Sequence, residues 1–257
     1  KLLAAGEADL DPSFAPRHII RVDAGDPIIM LGGLHVGCYE LFGNNRVRAI
    51  HDLKGKRVAV TDLGSSRHVW LATMLKYVGF DPHKDVNWVT DPVPEAMRLF
   101  AEDKIDAIMA APPEPQELRA KKIGHVVVNT MMDRPWSNYY CCMTAANREF
   151  ARKHPVATKR ALRAILKATD VCAREPERAA RLLVDKGDTK NYDLALQTMK
   201  EMEMAYRQWR EYDPEDAVRF YALRLQEAGM IKRTPQQIIA RGTDWRFLNE
   251  LKKELKG

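Results

Sequence analysis

Between residues 28 and 109 short β-rich runs alternate with helix-patterned stretches, and this alternation constrains the fold more than any other feature of the chain. Arg57-Val58-Ala59-Val60 follows the turn-like Leu53-Lys54-Gly55-Lys56 and reads as a buried strand. Residues 66–79 then carry Leu71, Met74, Leu75 and Val78 at helical spacing, with Gly79 and Pro82 as stop signals. A strand is expected at 86–89, a helix with Pro94 in its first turn and Met97, Leu99 and Phe100 within it, and a strand over 105–110. Strand, helix, strand, helix, strand is the signature of a parallel sheet with crossover helices, so the expected class is α/β.

The pattern continues with a short helix over 115–122, a strand around 125–129 and a further strand over 138–143. From Arg148 the chain turns helical, with stretches near 155–174, 176–186, 192–211, 214–228 and 235–255. No Gly/Ser-rich or Pro-rich linker separates the two parts, which argues for one architecture. The first sixteen residues read as a helix end, a short strand ending near Leu10, and a loop. The chain starts at Lys1 in mid-pattern, and the expectation is that a first βα unit precedes it.

With 257 residues, 46% hydrophobic and 30% charged, the composition is that of an ordinary globular protein. No apolar run approaches the roughly 20 residues of a membrane-spanning helix. The net charge of +6 favours small anions, but the 41 basic and 35 acidic residues are interspersed, so no nucleic-acid partner is expected. The four cysteines, Cys38, Cys141, Cys142 and Cys172, include no CxxC and read as buried free thiols. Strand alternation sends Cys141 and Cys142 to opposite faces. His35 and Cys38 form an HxxC pair, but two ligands without a second pair do not make a metal site, and neither metal nor cofactor is expected.

The most specific stretch is Thr61-Asp62-Leu63-Gly64-Ser65-Ser66-Arg67-His68-Val69-Trp70, between an apolar strand and an apolar helix. Either Ser65 or Ser66 is a simple N-cap, or the glycine and serines grip an anion with hydroxyls and helix N–H groups. GxxxxGK[ST] and GxGxxG are absent, which argues against a nucleotide enzyme. A serine nucleophile in GxSxG is absent too, and His68 beside the serines reads as a polar surface group before it reads as a base. Three other junctions fall at strand ends: Asp11 to Ala15, Gly33 to Glu40, and Ala111 to Glu114. Phe14, His35, Tyr39, Trp136, Asn138 and Tyr139 either line a pocket there or pack in the core.

Residues 53–89, LKGKRVAVTDLGSSRHVWLATMLKYVGFDPHKDVNWV, resemble the start of the second lobe in periplasmic substrate-binding proteins of the nitrate/sulfonate/taurine group, relatives of thiamine-pyrimidine binding proteins. GEADLDPSFAP at 6–16, KIDAIMAAPPEPQELRAKK at 104–122 and ANREFARKHPVATKRALRAILKA at 146–168 are similar to further segments of that family, in the family's order. The resemblance implies a two-lobed type II periplasmic binding fold with a helical C-terminal region. One lobe would hold residues 1–46 and 139–257 and the other 47–138, with ligand in the cleft between them. It implies the solute-binding subunit of an ABC importer, periplasmic or membrane-tethered, not an enzyme, monomeric, and partnered by a membrane permease. Its solute would be a sulfonate, nitrate, taurine or a pyrimidine-like compound.

Carried over by position, Gly64, Ser65 and Ser66 would face an anionic head group, with His68 close by. Ser13, Phe14, His35 and Cys38 would lie at cleft-facing strand ends, and Pro113 and Glu114 at the second lobe's rim, with Trp136 and Asn138 as further ligand-binding candidates. A carboxylate at Glu114 would repel an anion and receive an amine. Two other readings stand beside the importer: an iron-dependent thiamine-pyrimidine synthesis enzyme of the same fold, whose cysteine-rich run is only distantly matched by YYCCMT, and a ligand-sensing regulatory module.

Overall fold

Two β-sheets divide the strands of the computed structural model, which describes residues 2–255. The first holds β1 (Leu10–Phe14), β2 (Ile28–Val36) and β8 (Tyr140–Asn147) in the order β1-β8-β2, antiparallel throughout. The second holds β3 (Glu40–Gly43), β4 (Arg57–Val60), β5 (Asn87–Thr90), β6 (Ala107–Ala110) and β7 (His125–Asn129) in the order β5-β4-β6-β3-β7. The β4 strand runs parallel to β5 and β6, as the strand-helix alternation requires, while β3 pairs antiparallel with β6 and β7.

The helices are α1 (Leu2–Ala5), α2 (Ala15–Asp23), α3 (Ser66–Tyr77), α4 (Val93–Ala101), α5 (Glu114–Lys121), α6 (Arg148–Lys153) and α7 (Pro155–Arg174). They continue with α8 (Pro176–Asp185), α9 (Tyr192–Glu201), α10 (Glu203–Arg207), α11 (Pro214–Glu227), α12 (Pro235–Gly242) and α13 (Arg246–Glu254). Seven of them, α2, α4, α5, α7, α8, α11 and α12, open with proline in the first turn, where the missing N–H has no helical partner to lose.

Three expectations change. Leu10 begins a strand instead of ending one, because residues 10–14 find a partner in β8, in the register Leu10↔Ala146 to Phe14↔Cys142. The stretch 192–211 is broken after Glu201, and 235–255 is broken between Gly242 and Arg246, where Thr243 bridges Met30 and the Asp244 N–H donates to the Met30 carbonyl. The chain passes from the first sheet to the second between Val36 and Glu40 and returns at Tyr140.

The main core joins both sheets through α3. Trp70, fully buried, meets Phe14, Trp136 and Tyr221 with ring centroids 6.0, 5.5 and 5.3 Å away, edge-on or tilted, and such pairs contribute about 0.5–1.5 kcal/mol each beyond area burial. Helix α3 is apolar on most of its surface, with His68 to Leu75 all buried, so it is a core helix and not an amphipathic one.

Candidate functional site

The site is built where the chain crosses between the sheets. Gly37 sits at φ +57°, and a Cβ there would lie 2.3 Å from the Met131 side chain, so only glycine fits. Cys38 follows at φ 148°, a strained value for a residue with a side chain. The buried Thr130 hydroxyl holds it there: the Cys38 and Tyr39 N–H groups donate to Thr130 Oγ1 at 3.2 and 3.1 Å, and the hydroxyl donates to the Tyr39 carbonyl at 2.8 Å. Backbone groups that no strand pairs are thereby satisfied.

Beside this link the register of β2 on β8 sets His35 opposite Cys142, with bulges on either side of His35. His35 Nδ1–H points at the carbonyls of Val36 (3.2 Å) and Gly37 (3.1 Å), which leaves Nε2 as the ring nitrogen available to other partners. The Tyr206 ring stands edge-on to His35 at 4.9 Å. Cys141 is fully buried and its Sγ lies 2.9 Å from Cys38 Sγ, while Cys142 is only partly buried and lines the cavity. One ligand atom each from His35, Cys38 and Cys142 lies within 4.8 Å of the others.

The electrostatics favour one negative charge in this cluster. Hydrogen bonds from Cys141 and then Cys38 hold the Cys142 thiol well below the usual thiol range, against burial, with His35 adding to the effect. Burial pushes the Cys38 and Cys141 thiols up. Burial also opposes charge on His35, but the adjacent Cys142 outweighs it and raises the imidazole pKa.

Above the cluster lies a cavity of about 350 Å³. His35, Cys38 and Cys142 form its floor, and Pro112 and Pro113, just after β6, come from the second sheet's side. Leu183 of α8, Ala195 and Met199 of α9, Met202 and Tyr206 form the facing wall, with Asp188, Thr189 and Thr198 as its polar members. Among the described residues no lysine or arginine lines it. The two sides are tied by Arg119 of α5, which bonds Glu40 at 2.5 Å and Glu201 of α9 at 2.6 Å, and by Gln116, which donates to Glu201 at 2.7 Å.

Of the residues singled out in the sequence, His35, Cys38 and Pro113 line this cavity and the others do not. Ser65 caps α3 by accepting the His68 N–H at 3.3 Å, and the Gly64 N–H donates to His68 Nδ1 at 3.0 Å, so the GSS segment closes its own helix end. Ser66 is the first residue of that helix. Glu114 is paired with Arg67. Phe14 and Trp136 pack in the aromatic core, and Asn138 is exposed.

Ser13 hydrogen-bonds Asp11 at 3.0 Å and His18 Nε2 at 3.3 Å, but the carboxylate orients the serine and not the histidine, the wrong order for a nucleophile-base-acid relay. Cys142, Met199, Met202 and Tyr206 escaped sequence reasoning. The available signal was the strand alternation that separates Cys142 from Cys141.

The model of the NMT1-like family matches residues 41–184, more than half of the chain. The protein belongs to the NMT1-like family. No curated protein matches it. The fold of this NMT1-like protein is similar to that of the periplasmic nitrate-binding protein NrtA from Synechocystis PCC 6803, with TM-score 0.75 and 16% identity over 99% of this chain and 77% of that one. It is also similar to the alkanesulfonate-binding protein SsuA from Xanthomonas axonopodis pv. citri bound to MOPS (0.73, 16%, 95% and 83%). A third is the periplasmic aliphatic sulphonate binding protein SsuA from Escherichia coli (0.67, 19%, 89% and 71%). These likenesses establish the periplasmic binding protein fold for the NMT1-like chain. Among the described residues no helix is long and apolar enough to cross a membrane.

Proposed function

We propose that this NMT1-like protein is an extracytoplasmic solute-binding component of an ABC importer that captures a small organic molecule in the cavity between its two sheets. The cavity itself carries the reading: about 350 Å³, walled by residues from both sides of the crossing, within the size of small-molecule sites. Solved structures of the same fold that bind nitrate and alkanesulfonate support a carrier over an enzyme, and they supply the expectation of a membrane permease as partner. Closure of the two sides on the solute would be a population shift toward the state that binds it better.

The lining narrows the solute class. Pro112, Pro113, Leu183, Ala195, Met199 and Met202 offer apolar surface, and polar groups gather at the floor and rim. The nearby cation Arg67 is already matched by Glu114. Among the described residues a free inorganic anion would find no unpaired lysine or arginine on these walls, so the solute proposed has an apolar or aromatic body and a small polar head.

A thermal-shift screen over aromatic carboxylates, pyrimidines, alkanesulfonates, taurine and nitrate tests this. A solute at about 100 times its Kd adds roughly 2.7 kcal/mol, a rise of about 5–10 °C for a chain of this size. Rises with aromatic or longer alkyl compounds and none with nitrate are expected. No rise with any compound would overturn the reading.

A further inference from the structure

The cluster under the cavity has the chemistry of a metal site as well as of a pocket floor. Three donors of the types that thiophilic cations prefer converge there, the His35 imidazole from β2, the Cys38 thiol from the link just after it and the Cys142 thiol from β8. All three ligand atoms lie within 4.8 Å of one another, while a tetrahedral zinc at about 2.0 Å from nitrogen and 2.3 Å from sulfur needs its donors roughly 3.5–4 Å apart. Side-chain adjustment of up to about 1 Å joins the two geometries.

The surroundings are arranged as metal ligands require. The His35 Nδ1–H group is spent on the Val36 and Gly37 carbonyls, which fixes the ring so that Nε2 presents its lone pair, the second-shell pattern that orients ligating histidines. Two of the donors stand on paired strands, and the third is held in a strained backbone by the Thr130 hydroxyl, so little order remains to be imposed on binding. The open side of the triangle faces the cavity.

We propose that His35 Nε2, Cys38 Sγ and Cys142 Sγ bind a thiophilic cation, zinc(II) first among them, with its fourth coordination position open to the cavity. Binding takes up both sulfurs as thiolates and His35 as neutral imidazole, and releases to solvent the protons that these three groups still carry. Cys141, against Cys38 but buried behind it, is not a ligand. The open position would hold a donor group of the solute, such as a carboxylate oxygen or a ring nitrogen. That last role rests on the solute-binding reading, whereas the cation site does not.

The test uses the full chain, reduced, stripped of metal by a chelator, and titrated with cobalt(II) and then zinc(II). A thiolate-to-cobalt charge-transfer absorption that saturates at one equivalent and is displaced by zinc is expected. Cys142→Ser and His35→Ala should weaken cobalt by at least roughly the 10–100-fold that even outer-shell losses cost. Since either variant could unfold, the wild-type protein is also alkylated with and without zinc and mapped by mass spectrometry. Protection of Cys38 and Cys142, with Cys172 labelled equally in both samples, supports the site. A cobalt spectrum without a thiolate band, or equal labelling of Cys38 and Cys142 with and without zinc, overturns it. Neither readout involves an organic solute, so a failed solute screen and a failed metal titration are separate results.

Discussion

Arg67 and Glu114 meet as a two-pronged ion pair, Nη1 to Oε2 at 2.5 Å and Nη2 to Oε1 at 2.8 Å, with the two side chains only 14% and 12% exposed. Arg67 also donates to the Met109 carbonyl at 2.8 Å, and Glu114 accepts the Ala111 N–H at 3.0 Å, so the pair ties the start of α3 to the end of β6 and the start of α5. Breaking a buried pair leaves one charge without a partner. Glu114→Gln is therefore expected to cost about 3 kcal/mol in urea unfolding, and Arg67→Met with Glu114→Leu to recover most of that loss. The single variant should also be stabilised by added sulfate, where the wild type is not, because its arginine is unmatched.

The GSS segment yields a separation of stability from binding. Ser65→Ala removes the acceptor of the His68 N–H and should cost about 1 kcal/mol in thermal or urea unfolding. Solute affinity in the same variant should stay within about twofold, roughly 0.4 kcal/mol, since Ser65 does not line the cavity. A larger loss of affinity would return the serines to the binding site.

His68 predicts a pH dependence. Burial, with a smaller contribution from His83, lowers its pKa below the ordinary 6.5, and the ring packs edge-on against Trp88. The Gly64 N–H donates to Nδ1, so the folded protein holds that nitrogen unprotonated. Unfolding lets the imidazole take its proton at 6.5, so its contribution is complete above that pH and is lost as pH falls through the lowered folded value. Within that window stability should fall by up to about 1.4 kcal/mol per pH unit, and His68→Gln should flatten the profile measured by urea unfolding from pH 7.5 to 5.

Ala195 tests the cavity directly. It is buried at the wall and its methyl faces open volume, so Ala195→Leu should fold with a stability change below about 1 kcal/mol, unlike overpacking of a filled core. The added carbons occupy solute space. Affinity for any solute found in the screen should fall at least tenfold, about 1.4 kcal/mol, by calorimetry.

Local chemistry made much of this legible in advance. The Lys54-Gly55-Lys56 turn, β4 and α3 stand where their periodicity and caps place them, because strand alternation, helical spacing and a stop glycine act over a few residues. Pattern length misled where a long helical stretch was interrupted, at Met202 and at Thr243, since the second break is made by an edge bond to Met30, 213 residues earlier in the chain. Asp11 to Phe14 looked like turn chemistry because Asp, Pro and Ser dominate it, yet pairing with β8 made it a strand.

The sequence by itself determined the α/β alternation, the family to which it is similar, and the closeness of His35 and Cys38, which are neighbours along the chain. Only the tertiary structure decided that Cys142 joins them. An antiparallel register with bulges beside His35 brings together residues more than a hundred positions apart, and a one-residue slip would have turned Cys142 to the other face and brought Cys141 in its place. The same holds for Arg67: its charge is visible in the sequence, but whether it receives a solute or a carboxylate depends on how the ends of α3 and α5 pack. Short-range propensity is written residue by residue, whereas a site is a coincidence of distant segments that only packing creates.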